Sequence, residues 1–252
     1  MTIKELGALF SSDQVSDELL ELCREDQRKS VQTLLRRYRH QQEERARIAS
    51  LYTYERQAHE EGCGMVAGVD EAGRGPLAGP VSVAAVILPH ELYLPHLNDS
   101  KKLSPKLREE LFEAISEKAI AIGTALVDAA TIDRVNIYQA TINGMYEAVF
   151  ALQPQPEKVL IDAVRLERLP MPSLSIIKGD AKSASIAAAS IIAKVTRDRL
   201  MDEYDREYPQ YGFSRHKGYG TQEHIEAIRK YGPCPIHRKS FEPIKSIIES
   251  QR

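Results

Sequence analysis

The sequence predicts an α/β fold: a mixed sheet flanked by helices, with a helical N-terminal extension. Three observations carry this. From Met65 onward, short apolar runs alternate with segments of helical spacing, the pattern of strands exchanged with the helices that cover them. One run, residues 81–88, is almost continuously apolar, as a strand buried on both faces must be. Residues 17–58, by contrast, contain neither proline nor glycine. They are dense in Glu, Arg, Gln and Lys with sparse leucines, which predicts one or two charged helices.

Taken in order, Glu61-Gly62-Cys63-Gly64 breaks the charged pattern and sets a boundary between an extension, residues 1–62, and the main domain, residues 63–252. A strand is expected over 65–70, followed by a turn rich in Gly73, Gly75, Pro76, Gly79 and Pro80, and by the second strand over 81–88. Residues 104–118 read as a helix with Ser104 as its cap and Pro105 in the first helical position. A third strand is expected over 121–128. A helix follows over 137–152, where Ile142, Tyr146 and Val149 share helical spacing. Short strands are expected over 159–162 and 174–177, and a long helix over 183–206. Beyond Tyr208 the chain is rich in glycine and proline, with one further short helix over 221–230.

Of the 252 residues, 42% are hydrophobic and 28% charged, an ordinary globular mixture long enough to bury a sizeable core. The net charge of −2 means that any nucleic-acid-binding groove must be locally basic. Cys23, Cys63 and Cys234 lie far apart without zinc spacing and read as reduced thiols. Residues 1–14 lack the pattern of a secretory signal. The most apolar stretch, residues 184–193, is flanked by Lys182 and Lys194 and is too short to span a bilayer. These features predict a cytoplasmic protein with no membrane partner.

Four carboxylates stand where chemistry would use them. Asp70 and Glu71 close the first strand, Asp162 closes the strand over 159–162, and Asp180 follows Ile176-Ile177-Lys178-Gly179 and precedes the long helix. Acids at strand ends often serve only as turn formers or caps. Here, however, Asp70-Glu71 and Asp162 interrupt otherwise apolar segments. Clustered carboxylates repel one another unless a cation sits among them. Mg²⁺ and Mn²⁺ prefer such oxygen ligands, and metal-assisted phosphodiester cleavage uses such a site.

The run Gly68-Val69-Asp70-Glu71-Ala72-Gly73-Arg74-Gly75-Pro76-Leu77-Ala78-Gly79-Pro80-Val81 closely resembles the signature of the ribonuclease HII family. So do Asn98-Asp99-Ser100-Lys101-Lys102-Leu103, Ile161-Asp162, Lys178-Gly179-Asp180-Ala181-Lys182-Ser183 and His216-Lys217-Gly218-Tyr219-Gly220-Thr221, in matching order over about residues 64–240. The resemblance implies a ribonuclease H-like fold, with Asp70, Glu71, Asp162 and Asp180 as both catalytic and metal-binding acids and Mn²⁺ or Mg²⁺ as cofactor. It implies endonucleolytic hydrolysis of the RNA strand of RNA/DNA hybrids, and cutting at ribonucleotides embedded in duplex DNA, with 5′-phosphate and 3′-hydroxyl ends. The related ribonuclease HIII family typically has a glutamate where Asp180 stands and a TATA-binding-protein-like N-terminal module. Residues 1–60 do not suggest that module.

Discriminating RNA from DNA means reading the 2′-hydroxyl. The resemblance assigns that to Gly73-Arg74-Gly75, where glycine lets backbone approach a sugar. It assigns to Tyr219 the next sugar, favouring DNA there. Lys101, Lys182 and Lys217 are candidate phosphate contacts, and a monomer is expected. His216, His224 and His237 have no zinc spacing and read as structural or phosphate-contacting. Two competing readings are another nuclease or strand-transfer enzyme of the same fold, indifferent to the 2′-hydroxyl, and a non-catalytic nucleic-acid-binding protein. The first would cut all-DNA duplexes; the second would bind hybrids without metal-stimulated cutting.

Overall fold

The structure is a computed structural model describing residues 1–12 and 15–250. Of the segment 1–14 considered above, Asp13 and Gln14 lie outside the described residues. The chain forms two compact units, Met1–Ser50 and Leu51–Arg252.

The first unit is helical. Its helices are α1 (Ile3–Ser11), α2 (Asp17–Glu25) and α3 (Lys29–Leu51), which ends one residue inside the second unit. Thr2 and Glu5 form a reciprocal capping box at the start of α1, and the Ser16 side chain caps α2. The sparse apolar residues have one destination: Leu6, Phe10, Cys23, Val31 and Leu35 form a small shared core. The predicted one or two helices over 17–58 are in fact three, because α4 (Thr53–Glu60) is separate.

The compact-unit boundary falls after Ser50, and α4 packs within the second unit. Ala58 is fully buried against Val66, Leu160, Ile176 and Ile186, and the Tyr52 hydroxyl donates to Leu92 O at 2.7 Å. The glycine break at 62–64 is a turn inside this unit.

That unit is built on five strands: β1 (Val66–Ala72), β2 (Val81–Ile87), β3 (Ala121–Val127), β4 (Lys158–Asp162) and β5 (Ser173–Ile176), in the order β3-β2-β1-β4-β5. β1 pairs antiparallel with β2 and parallel with β4, so the sheet is mixed as expected. Its helices are α5 (Pro105–Lys118), α6 (Ala129–Val135), α7 (Ile137–Phe150), α8 (Ala184–Glu207), α9 (Phe213–His216), α10 (Gln222–Tyr231) and α11 (Ile244–Ser250). Ser104 caps α5 with proline in its first turn, and Ser183 caps α8, accepting from Ile186 N. The short helices α6, α9 and α11 escape a reading by periodicity because each has at most seven residues.

Alternation of side chains fixes what each sheet face meets. Ala67 and Val69 of β1 join Val83, Ala85, Met145, Ala148 and Val159 in the main core beneath α7. Val66 and Gly68 face α8. A Cβ at Gly68 would lie 2.1 Å from the Ser185 carbonyl carbon, so only glycine lets α8 rest on β1 at this point. This contact lies two residues before Asp70.

Candidate active site

The sheet brings the first three acids to one end. The antiparallel ladder continues to Ala72↔Ser82, so Asp70 and Glu71 are strand residues paired with Ala84 and Val83 rather than the start of a turn. The parallel register sets Val69 beside Ile161, which carries Asp70 and Asp162 to neighbouring positions on the face toward α8. Asp180 arrives from a 3-10 turn, Gly179–Ala181, that follows Lys178 in a left-handed conformation at φ 58°. The Gly179 amide donates to Asp162 Oδ1 at 2.6 Å and ties this turn to the end of β4.

The electrostatics are those of like charges crowded away from water. Asp70 is 4% exposed, and its carboxyl is held well above the ordinary carboxylate range by burial first and by Glu71 and Asp162 next. Ser190 and the Glu71 amide oppose that shift. Burial also raises Glu71, against the pull of Arg74 and Lys101. Asp180 is raised by burial and by the charges of Asp99 and Asp162. Lys101 answers them. Burial pulls its ammonium down, but Asp70, Asp99, Asp180 and Glu71 more than reverse this and hold it above its usual range.

Glu71 Oε2 is buried with no hydrogen-bond partner, while Oε1 lies 3.4 Å from Arg74 Nη1. A buried carboxylate oxygen without a donor is costly. Hard, oxygen-rich and short of positive charge, the donor set fits a divalent cation of the Mg²⁺ or Mn²⁺ kind. Among the described residues, no three His, Cys, Asp or Glu groups already stand at metal-ligand spacing. The acids therefore border the site without forming a closed cage, and Asp162 Oδ1 is turned to Gly179 N.

Beside the acids is a cavity of about 230 Å³ lined by Glu71, Gly73, Arg74, Gly75, Lys101 and Tyr219, together with Lys194 and Arg197. Five of the seven candidate substrate-contact residues thus share one hollow. The other two do not line it. Lys182 is exposed at the end of the 3-10 turn. The Lys217 side chain pairs with Asp202 and donates to Asp198 O at 3.3 Å, both on α8.

What sequence reasoning missed is how the turn after β1 is held. Arg197 donates to the carbonyls of Ala78, Pro80 and Lys217 at 2.9, 3.0 and 2.9 Å. Arg238 donates to those of Gly73, Arg74 and Gly79 at 2.5, 2.8 and 3.0 Å. Both guanidiniums are almost fully buried. Gly73, at φ 92°, has no room for a Cβ, which would meet Arg197 Nε at 2.0 Å. Arg197 sits mid-helix and Arg238 in a proline-rich loop, so neither carries a sequence signal apart from ordinary surface charge. His216, His224 and His237 are buried and bonded to the protein, the structural half of the two roles expected of them.

No described helix is long and apolar enough to cross a membrane. The three cysteines are unpaired, with Cys23 and Cys234 buried.

Comparison with known proteins gives a consistent picture. The family model described as ribonuclease HII matches residues 67–244, and that of the ribonuclease HII N-terminal domain matches residues 2–59. Ribonuclease HII of Geobacillus kaustophilus is 54% identical over 253 residues, covering 99% of this chain and 97% of the relative. Among solved structures, ribonuclease H2 from Pyrococcus horikoshii aligns with a TM-score of 0.64 at 29% identity, over 74% of this chain and 98% of that one. Bst-RNase HIII in complex with Mn²⁺ aligns with a TM-score of 0.55 at 21% identity, over 77% and 72%, a likeness of fold alone.

Proposed function

The chain belongs to the ribonuclease HII family, and we propose that Asp70, Glu71, Asp162 and Asp180 are the acids with which it performs that family's reaction. The protein is a metal-dependent endoribonuclease. It hydrolyses the RNA strand of RNA/DNA hybrids and cuts at ribonucleotides embedded in duplex DNA, giving 5′-phosphate and 3′-hydroxyl ends. Its cofactor is a divalent cation, Mn²⁺ or Mg²⁺.

The observation that carries the site assignment is the convergence of four acids from three chain segments on one sheet end, with a buried Glu71 oxygen left unpartnered. Asp70, Glu71, Asp162 and Asp180 would hold the cation. When bound, a divalent cation supplies a water made acidic enough to attack a phosphodiester and offsets charge on the leaving oxygen. The chain's own residues do the rest. Lys101 and Arg74 flank the acids with positive charge, which favours a phosphate beside them. The Gly73-Arg74-Gly75 backbone, fixed from behind by Arg238, meets the 2′-hydroxyl. Tyr219, 49% exposed and lining the same cavity, packs on the following sugar and favours one without a 2′-hydroxyl. The enzyme works as a cytoplasmic monomer on these duplexes.

Mapping the cut on a DNA duplex with one embedded ribonucleotide, beside the same duplex without it, tests this reading. The expected result is Mn²⁺- or Mg²⁺-dependent cutting of the first substrate only. Equal cutting of all-DNA would favour a nuclease indifferent to the sugar, and binding without cutting a non-catalytic role.

A further inference from the structure

Behind Tyr219 lies a buried chain of hydrogen bonds that no part of the reaction uses. Cys234 N donates to His237 Nδ1 at 2.9 Å, with Cys234 Sγ at 3.1 Å from the same atom. His237 Nε2 faces His224 Nε2 at 3.0 Å, and His224 Nδ1 lies 2.9 Å from Tyr219 O. His224 and His237 are 0% and 1% exposed.

The two ends of this chain fix every proton in it. A carbonyl only accepts, so His224 Nδ1 carries its hydrogen. A neutral His224 then accepts at Nε2, which places the hydrogen of His237 on Nε2. His237 Nδ1 is left as the acceptor that the Cys234 amide requires. A doubly protonated His224 would force His237 Nε2 to accept and its Nδ1 to donate, against a Cys234 N–H that also donates. A hydrogen on His237 Nδ1 could reach Cys234 Sγ at 3.1 Å but would oppose the nearer Cys234 N–H, so the arrangement that serves the amide is the neutral one. Burial agrees, pushing His224 down to about 4 and His237 to about 3.

A third imidazole completes the support. His216 stacks on His224 with ring centroids 4.4 Å apart, and its Nε2 lies 2.9 Å from Tyr211 O. Its Nδ1 accepts from Gly218 N at 3.2 Å. The backbone on either side of the Gly218–Tyr219 peptide is therefore pinned by imidazoles. Tyr219 O is held twice, by His224 and by Thr221 N at 2.8 Å. Only the Tyr219 ring remains free to face the cavity that holds Glu71 and the Gly73–Gly75 turn.

We propose that His224 and His237 are positioning residues for Tyr219: a neutral relay from Cys234 to the Tyr219 carbonyl that sets where the ring meets the sugar beside the scissile phosphate. The proposal rests on the reading of Tyr219 as a sugar-contacting residue. Displacing a positioned group by about 1 Å can lower a rate on the order of 100-fold.

The test is a double-mutant cycle on the full-length enzyme, with single-turnover cutting of a duplex containing one ribonucleotide as readout. Duplex affinity is measured in an Asp162→Asn background. His224→Leu is expected to slow cutting roughly 10- to 100-fold with affinity changed less than about three-fold. His224→Asn, whose amide N–H can replace Nδ1–H toward Tyr219 O, should recover most of the rate. In a Tyr219→Ala background, His224→Leu should cost nothing further, because coupled residues are non-additive. Equal losses in both backgrounds, or no recovery with asparagine, would overturn the relay while leaving the role of Tyr219 intact. Wild-type cutting by Tyr219→Ala alone would instead remove the premise. Should His224→Leu not fold, ¹⁵N-histidine spectra of the wild type still decide whether the relay exists. Hydrogens on Nδ1 of His224 and Nε2 of His237 at pH 7 are required, and the opposite tautomers would refute it.

Discussion

Replacing Glu55 probes whether α4 belongs to the catalytic unit in energy as well as in packing. Its carboxylate is 3% exposed, and Oε1 accepts from Ser183 Oγ at 2.6 Å and Ser185 N at 2.9 Å. It thus caps the first turn of α8, where the positive end of the helix dipole favours an anion. Glu55→Ala leaves the Ser185 amide and the Ser183 hydroxyl buried without that acceptor. Each orphaned group costs about 1–3 kcal/mol, and the lost side-chain volume adds to this. Relief of a buried charge with an unpartnered Oε2 offsets part of the sum. The net expectation is a loss of roughly 2–4 kcal/mol. For a unit of this size, that lowers Tm by roughly 5–15 °C. Glu55→Gln keeps an acceptor at Oε1 and should cost less than half as much. Because Ser183 follows Asp180 by three residues, the alanine variant should also cut more slowly. Thermal melting of the full chain, with single-turnover cutting, reads both effects. An alanine variant melting within about 1 °C of wild type would refute the claim that this cap stabilises the unit. By the same logic, removal of residues 1–50 should leave cutting intact, whereas removal of residues 1–60 should not.

Three further outcomes follow from the packing. Gly68→Ala places a Cβ 2.1 Å from Ser185 C, so it should destabilise by about 3 kcal/mol or more and reduce soluble yield; a normal melting curve would contradict the contact. Arg238→Lys removes at least one of three bonds to the Gly73–Gly79 turn, since a lysine has no planar fork, and should slow cutting at least about ten-fold with binding little changed, read as kcat against KM. The histidines' share of stability should fall in mild acid, against an opposite contribution from Asp70, Glu71 and Asp180, whose folded values are raised. His224 and His237 have folded values below the ordinary 6.5, so the unfolded chain takes up protons that the folded one refuses. Their contribution is complete above pH 6.5 and declines as pH falls toward 4, by roughly 3 kcal/mol for His224 alone. The difference in urea midpoint between wild type and His224→Asn from roughly pH 7.5 to 4.5 checks this: wild type should lose its advantage as pH falls, and a constant difference would contradict it.

The candidate acids were more legible in the sequence than the frame that positions them. Acids that interrupt buried apolar runs mark Asp70, Glu71 and Asp162, and Asp180 stands in the turn just before the long helix. Apolar runs give the strands, the Ser104-Pro105 start gives α5 and helical spacing gives α7, each to within a few residues. Two things stayed hidden. Tertiary pairing extends β1 past Glu71, a matter of the partner strand and not of local propensity. Long-range polar contacts recruit Glu55, Arg197, Arg238 and the histidines from segments that read as charged surface or loop. Nor does the motif foretell that Lys217 pairs with Asp202 of α8.

Asp70, Glu71, Asp162 and Asp180 are proposed to hold, at one sheet end, the cation that cuts at a ribonucleotide. Asp162→Asn tests this most directly, in a Mn²⁺-titrated single-turnover assay on a duplex with one embedded ribonucleotide. The amide preserves shape and can still accept from Gly179 N, but it removes the charge that holds a cation. The duplex should be bound nearly as well while cutting falls by about 10³-fold or more at every Mn²⁺ concentration, in the range seen when an electrostatic catalytic group is removed. Cutting within about ten-fold of wild type would place the catalytic cation elsewhere and contradict the account.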